Sequence, residues 1–298
     1  MAEIEHGEYV DTYVNLPSKE RASEENLDPN IRKWFLDKSP DLLGGVTPEH
    51  MVKRMTDAGI ERGLLNWSTG SRGGPRPISP TIPTTIPMTL DDFRERCEEV
   101  ATICRDFPGR LYGTCNIDPN YRMDAVRMVE IAVKEFDFRA VRLFGATTNM
   151  TPLDPLCYPI YTKCIELDIP IVINCGFPGP LRYARYQRPI DLDDVCVTFP
   201  ELMVVATHIG HPWHLETVAL LQKHANFRLM TSGFVPKYVP EEIIYTMNTR
   251  AQHKVMFSAD YAINDFQRCV DEALKLPLRE GVLRRYMREN ALETFRMD

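Results

Sequence analysis

The sequence predicts a (β/α)8 barrel, on three observations. Short apolar or β-branched runs recur along the 298 residues, each is followed by a segment of helical periodicity, and eight such pairs can be counted. Barrels of this kind use about 200 to 400 residues as one unit. Residues 1–298 therefore read as a single domain.

The first strand, 9–14, is followed by a long connection, 16–46, and a helix over 48–58, where Thr47-Pro48-Glu49 puts proline at the first helical position. Strand 62–67 leads through a second long connection, 68–88, to helix 90–105. Its start carries Thr89 ahead of Asp91 and Asp92, which favour the positive end of the helix dipole. Strand 111–117 precedes helix 123–136, on which Val126, Val129, Val133 and Phe136 share one face while Arg127, Glu130 and Lys134 lie elsewhere. The remaining pairs are 140–144 with 155–167, 170–175 with 192–199, 203–208 with 214–224, 227–231 with 241–249, and 255–259 with 265–274. A final helix, 280–295, closes the barrel. The connections 16–46, 68–88 and 176–189 follow strands 1, 2 and 5, so all three rise over the C-terminal face where barrel enzymes carry their chemistry. The second of them, rich in Gly, Pro, Ser and Thr, is either a surface insertion or a lid or subunit-contact arm.

Composition narrows the function classes. A net charge of -7 with no Lys/Arg block argues against nucleic acid. The acidic start, MAEIEHGEYVDTYVN, is unlike a signal peptide, and no run of 18 apolar residues suggests a membrane span. The expectation is a cytoplasmic protein. Eight cysteines include no CxxC pair, so they read as small buried hydrophobes, with Cys175 set apart as a minor candidate nucleophile.

Two polar residues end otherwise apolar strands: His208 in MVVATHIGHPW and Asp260 in VMFSADYA. A strand end faces the substrate mouth of a barrel. Histidine exchanges protons near neutral pH, and aspartate serves as a base or as the partner of an imidazole. Arg142 stands two before Phe144, so both point into the barrel. Arg182, Arg185 and Arg188 follow strand 5, and Arg72 and Arg76 lie in the 68–88 connection. Guanidinium groups bind carboxylates bidentately, which suggests a small organic acid as substrate, with Arg142 and Arg182 as its binders. His211 reads as a loop contact at the mouth, His214 as part of a helix's first turn.

The order of VDxxxx on strand 1, H-x-G-H-P-W after strand 6, S-x-D-Y on strand 8 and E-N-A-L-x-x-F near the end resembles the amidohydrolase-related group. That group includes aminocarboxymuconate-semialdehyde and resorcylate-type decarboxylases. The likeness runs from Val10 to Phe295. It implies a divalent cation held by D-x-H-x-H on strand 1, a strand-5 histidine and the strand-8 Asp. Here Tyr13, Asn15 and Asn174 stand where those histidines belong, and amide oxygens are poor zinc ligands. The expectation is no cofactor, with His208, Asp260 and the two asparagines left as a set that would hold a metal only weakly. Pyrone-dicarboxylate lactonases of the same superfamily offer a metal-free precedent, with the strand-8 Asp activating water, although they keep the strand-1 histidines.

The resulting expectation is a metal-independent hydrolase of a small carboxylated, cyclic or conjugated acid. Asp260 activates water, His208 positions it or shuttles the proton, Tyr13, Asn15 and Asn174 stabilise the oxyanion, and Arg142 with a loop arginine binds the carboxylate. A non-oxidative decarboxylase is the first alternative. A catalytically silent barrel is the second, a binding or assembly subunit using Ile78, Ile82, Ile86 and Met88 as an interface. A homodimer is expected.

Overall fold

The computed structural model describes residues 4–17, 41–42, 45–66, 88–179 and 182–297. Arg72, Arg76, Ile78, Ile82 and Ile86, and nearly all of the 16–46 and 68–88 connections, lie outside the described residues. Eight parallel strands form one sheet in the order of the sequence: β1 (Tyr9–Asn15), β2 (Ile60–Asn66), β3 (Leu111–Asn116), β4 (Ala140–Leu143), β5 (Ile171–Ile173), β6 (Val204–Ala206), β7 (Phe227–Met230) and β8 (Val255–Met256). The sheet closes where β8 meets β1, through a parallel bridge from Val14 to Tyr261 and backbone bonds from Thr12 N to Phe257 O at 3.2 Å and Asn15 N to Tyr261 O at 2.9 Å. This is the (β/α)8 barrel that the strand–helix alternation predicts.

Helices α1 (Pro48–Asp57), α2 (Leu90–Asp106) and α3 (Met123–Lys134) follow β1 to β3 and pack their apolar faces on the outside of the sheet. Thr89 and Asp92 close a capping box at the start of α2, as the acidic first turn suggests. The predicted helix 155–167 starts as a 3-10 turn, Pro155–Cys157, before α-helix Tyr158–Glu166. The predicted final helix is interrupted: a π-turn, Arg285–Glu289, separates Val282–Arg284 from Asn290–Phe295. Among the described residues no helix is long and apolar enough to cross a membrane.

Inside the barrel two layers of side chains differ in chemistry. The lower layer takes one apolar residue from each strand: Val10, Leu64, Tyr112, Ala140, Val172, Val205, Met230 and Met256. Ala291, Phe295 and Met297 of the C-terminal segment seal it from below. Two residues further along the strands stand Thr12, Asn66, Thr114, Arg142, Asn174, Thr207, Ser232 and Ser258, all buried and all polar. The lower layer supplies hydrophobic burial, worth about 25 cal/mol per Å2. The upper one has only hydrogen bonds to offset its desolvation.

Candidate active site

Backbone irregularities aim the polar groups. Strict alternation from Val10 would send Tyr13 outward, but the pairing of β1 with β2 shifts register between Asp11 and Val14, and Tyr13 joins the inner cluster while Val14 joins the outer core. The Asp11 carboxylate holds this shift in place, accepting hydrogen bonds from Tyr13 N at 2.8 Å and Ala259 N at 3.1 Å. β6 and β8 end sooner than their apolar runs suggest. His208 and Asp260 then adopt left-handed backbone conformations, φ +56° and +61°, a region non-glycine residues seldom occupy.

Six of the residues selected from sequence meet in one buried network. Arg142 donates from Nη2 to the Tyr13 hydroxyl and, at 2.9 Å, to Asn174 Oδ1, and its guanidinium carbon lies 4.0 Å from the centre of the Tyr13 ring. Asn174 Nδ2 lies 3.1 Å from His208 Nε2. Asn15 Nδ2 donates to Asp260 Oδ1 at 2.9 Å and to Tyr261 O at 2.7 Å. His208 Nδ1 sits 3.0 Å from Ser232 Oγ and 3.9 Å from Asp260 Oδ2.

Donor and acceptor rules settle the histidine tautomer. A guanidinium only donates, so the Asn174 atom facing Arg142 is the oxygen, and the amide NH2 faces His208. His208 Nε2 must then accept, leaving the ring proton on Nδ1 and pointing at Ser232 and Asp260. The charges agree: enclosure, helped by the positive Arg142, pushes the His208 pKa down to about 4. Burial pushes Asp260 up to about 7, against the pull of Arg142 and the Asn15 hydrogen bond. Burial also raises Tyr13 above the ordinary phenol value, with Arg142 opposing it. The proton exchange near neutrality that the sequence assigns to His208 therefore falls on Asp260. His208 is a fixed neutral imidazole.

The other candidates are engaged elsewhere. Arg182 lies over the Phe144 ring at 5.5 Å, just beyond β4. His211 is exposed, its ring 5.1 Å from that of Phe234. Arg188 pairs with Glu216, Arg185 stacks on Tyr183 and Tyr186, and His214 Nε2 lies 3.7 Å from Glu242. Cys175 turns into the outer core, and burial raises its thiol far above the range of a nucleophile. A cavity of about 310 Å3 opens at the opposite end of the barrel, where Arg139 pairs with Asp137 and Arg296 with Asp168; it is remote from this network.

Three contributors escape the sequence reading. Asp11 braces the bulge and is itself raised to about 8 by burial. Ser232 orients His208. Gly233, at φ +83°, leaves room for the imidazole, because a Cβ there would stand 2.9 Å from His208 Nδ1. The run Thr231-Ser232-Gly233 after the apolar β7 was the available signal.

The network does not suit the divalent cation that the family resemblance implies. Asn174 Oδ1 and the Tyr13 hydroxyl, two of the donors in the expected positions, are taken by Arg142, so a metal there would face a buried guanidinium. Among the described residues no group of three His, Cys, Asp or Glu stands together to hold an ion.

Known proteins agree on the architecture. A TIM-barrel protein of Bordetella bronchiseptica superposes with a TM-score of 0.78 at 21% identity, covering 97% of this chain and 98% of its own. The Rhizobium 2,6-dihydroxybenzoate decarboxylase gives 0.72 at 16% identity, with 99% and 100% covered. The Novosphingobium aromaticivorans 5-carboxyvanillate decarboxylase, complexed with manganese and 4-hydroxy-3-methoxy-5-nitrobenzoic acid, gives 0.72 at 15% identity, with 97% and 96% covered. No curated protein matches the sequence. The family model described as amidohydrolase matches residues 73–297, most of the chain, and with the barrel and its mouth already described the chain belongs to the amidohydrolase family.

Proposed function

We propose that this chain is a metal-independent hydrolase of a small carboxylated organic acid. The observation that carries the reading is the line Arg142, Asn174, His208, which runs from a buried guanidinium to a half-buried imidazole beside Asp260, a carboxyl raised to about pKa 7 by burial. Asp260 in its ionised form takes a proton from water, with His208, its Nδ1 proton turned to Ser232, fixed as a neutral wall beside it. Among the described residues both hydrogen bonds of Arg142 leave from Nη2, which leaves Nη1 to a substrate carboxylate or to a developing oxyanion. The guanidinium supplies charge where many amidohydrolases use a cation.

Decarboxylation is the second reading, favoured by the raised pKa of Asp260, which lets its carboxyl hold a proton at higher pH than an ordinary carboxylate, and by the decarboxylases that share the fold. Protonated Asp260 would then deliver its proton to the carbon that loses CO2. The two readings predict opposite pH limbs. Hydrolysis needs the ionised form, so kcat/KM rises as pH passes through about 7; decarboxylation needs the acid, so it falls there. A panel of hydroxybenzoates and small lactone acids, assayed by mass gain of one water and by CO2 release across pH 5.5–8.5, tests both. Absence of any turnover in the panel would reject the enzyme readings in favour of a binding barrel.

A further inference from the structure

Among the described residues, one side chain of the upper barrel layer is used by nothing. Asn66 ends β2, is 4% exposed, and among the described residues neither its Nδ2 nor its Oδ1 has a hydrogen-bond partner. Leu64 belongs to the inner cluster and Leu65 to the outer core, so Asn66 lies on the inner face, in register with Asn15 of β1 and Thr114 of β3. Neither neighbour relieves it. Asn15 gives its NH2 to Asp260 and Tyr261, and the Thr114 hydroxyl donates to Ala140 O at 2.8 Å.

A buried amide with both ends unmet is rare in folded proteins and costly, whereas leucine, similar in shape, would bury at no such cost. Arg142 Nε is also enclosed and unpartnered. β2 and β4 are separated by one strand, so their backbones stand about 10 Å apart, with Asn66 and Arg142 both in the inner layer.

We propose that Asn66 is a specificity-determining residue that contacts the substrate, receiving a group that both donates and accepts a hydrogen bond while the carboxylate lies at Arg142. This rests on the carboxylate reading above and sharpens it. A hydroxyl meets both ends of the amide at one position; a carboxylate or an ether only accepts and leaves Nδ2 or Oδ1 half served.

The test is calorimetric binding of benzoate, 2-hydroxybenzoate and 2,6-dihydroxybenzoate to the full chain, to Asn66→Leu and to Arg142→Leu. The wild type should prefer the hydroxylated acids by about tenfold or more. In Asn66→Leu that ratio should collapse toward one while benzoate binding persists, with a melting temperature no lower than the wild type's showing that the fold is intact. An unchanged ratio in folded Asn66→Leu, or no preference in the wild type, overturns the proposal. In either case benzoate binding that is lost in Arg142→Leu leaves the carboxylate reading standing. Failure of all three acids to bind the wild type overturns both.

Discussion

The two inner layers of the barrel come from the same eight strands, two residues apart, and they do opposite things. The lower layer, sealed by Phe295 and Met297, is apolar and interchangeable in kind: any well-packed set of similar volume would hold the sheet closed. In the upper layer, Asn66 apart, polar groups place one another, as Arg142 orients Asn174 and Asn174 orients His208. Its residues cannot be exchanged one at a time. The comparison teaches that stability and chemistry are divided along the strand axis, and that division can be attacked from either side.

The largest effect is expected from Asp260→Asn. Removing the carboxyl of the network that changes charge near neutrality should lower kcat by about 10^2 to 10^4-fold, with thermal unfolding no easier than in the wild type, because a costly buried carboxyl is gone. Retained activity in a folded Asp260→Asn variant would sink both enzyme readings. From the lower layer, Met256→Ala should cost about 2–5 kcal/mol of stability through the cavity it leaves. The midpoint of the pH–rate profile should not move. A shifted midpoint would show that the layers are coupled.

Gly233→Ala tests the seam between them. Alanine at φ +83° is strained, and its Cβ would press on His208 Nδ1 at 2.9 Å. A stability loss of about 1–3 kcal/mol is expected, together with a lower kcat as the imidazole leaves Ser232. Restoring room with a His208→Asn change in the same chain should recover the part of the stability lost to the contact, not the part lost to backbone strain, and should not recover rate. Chemical denaturation and initial rates on the three proteins check it.

The barrel was legible because period-2 and period-3.6 patterns alternate eight times, a redundancy that survives errors at any one boundary. Arg142 was legible for the same reason: alternation from Ala140 puts it inside. Tyr13 is the instructive case, since alternation from Val10 fails at the β1 bulge, and its selection came from the family resemblance. The His208 charge state was hidden, because a depressed pKa depends on enclosure and on an arginine 66 positions away in sequence. Asn66 went unread although it obeys the same alternation as Arg142: an asparagine at a strand end looks like a turn residue until both faces of the strand are known.

The smallest expected effect is a slope. Asp11, bonded to Tyr13 N and Ala259 N at the β1–β8 seam, has its folded pKa raised to about 8 by burial, above the ordinary carboxyl value. A raised pKa means that the folded chain favours the protonated form. Its contribution to stability is therefore fully present below about pH 4 and is lost as pH rises through about 8. Asp260 acts in the same direction up to about 7. Urea midpoints should fall between pH 5 and 8.5, by at most about 1.4 kcal/mol per pH unit for each carboxyl. Asp11→Asn keeps one of the two backbone hydrogen bonds and cannot ionise, so it should flatten that slope while costing about 1 kcal/mol at pH 5. A slope unchanged in Asp11→Asn would assign the whole pH dependence to the upper layer, and would mean that the bulge carrying Tyr13 into the barrel is held without any titrating group.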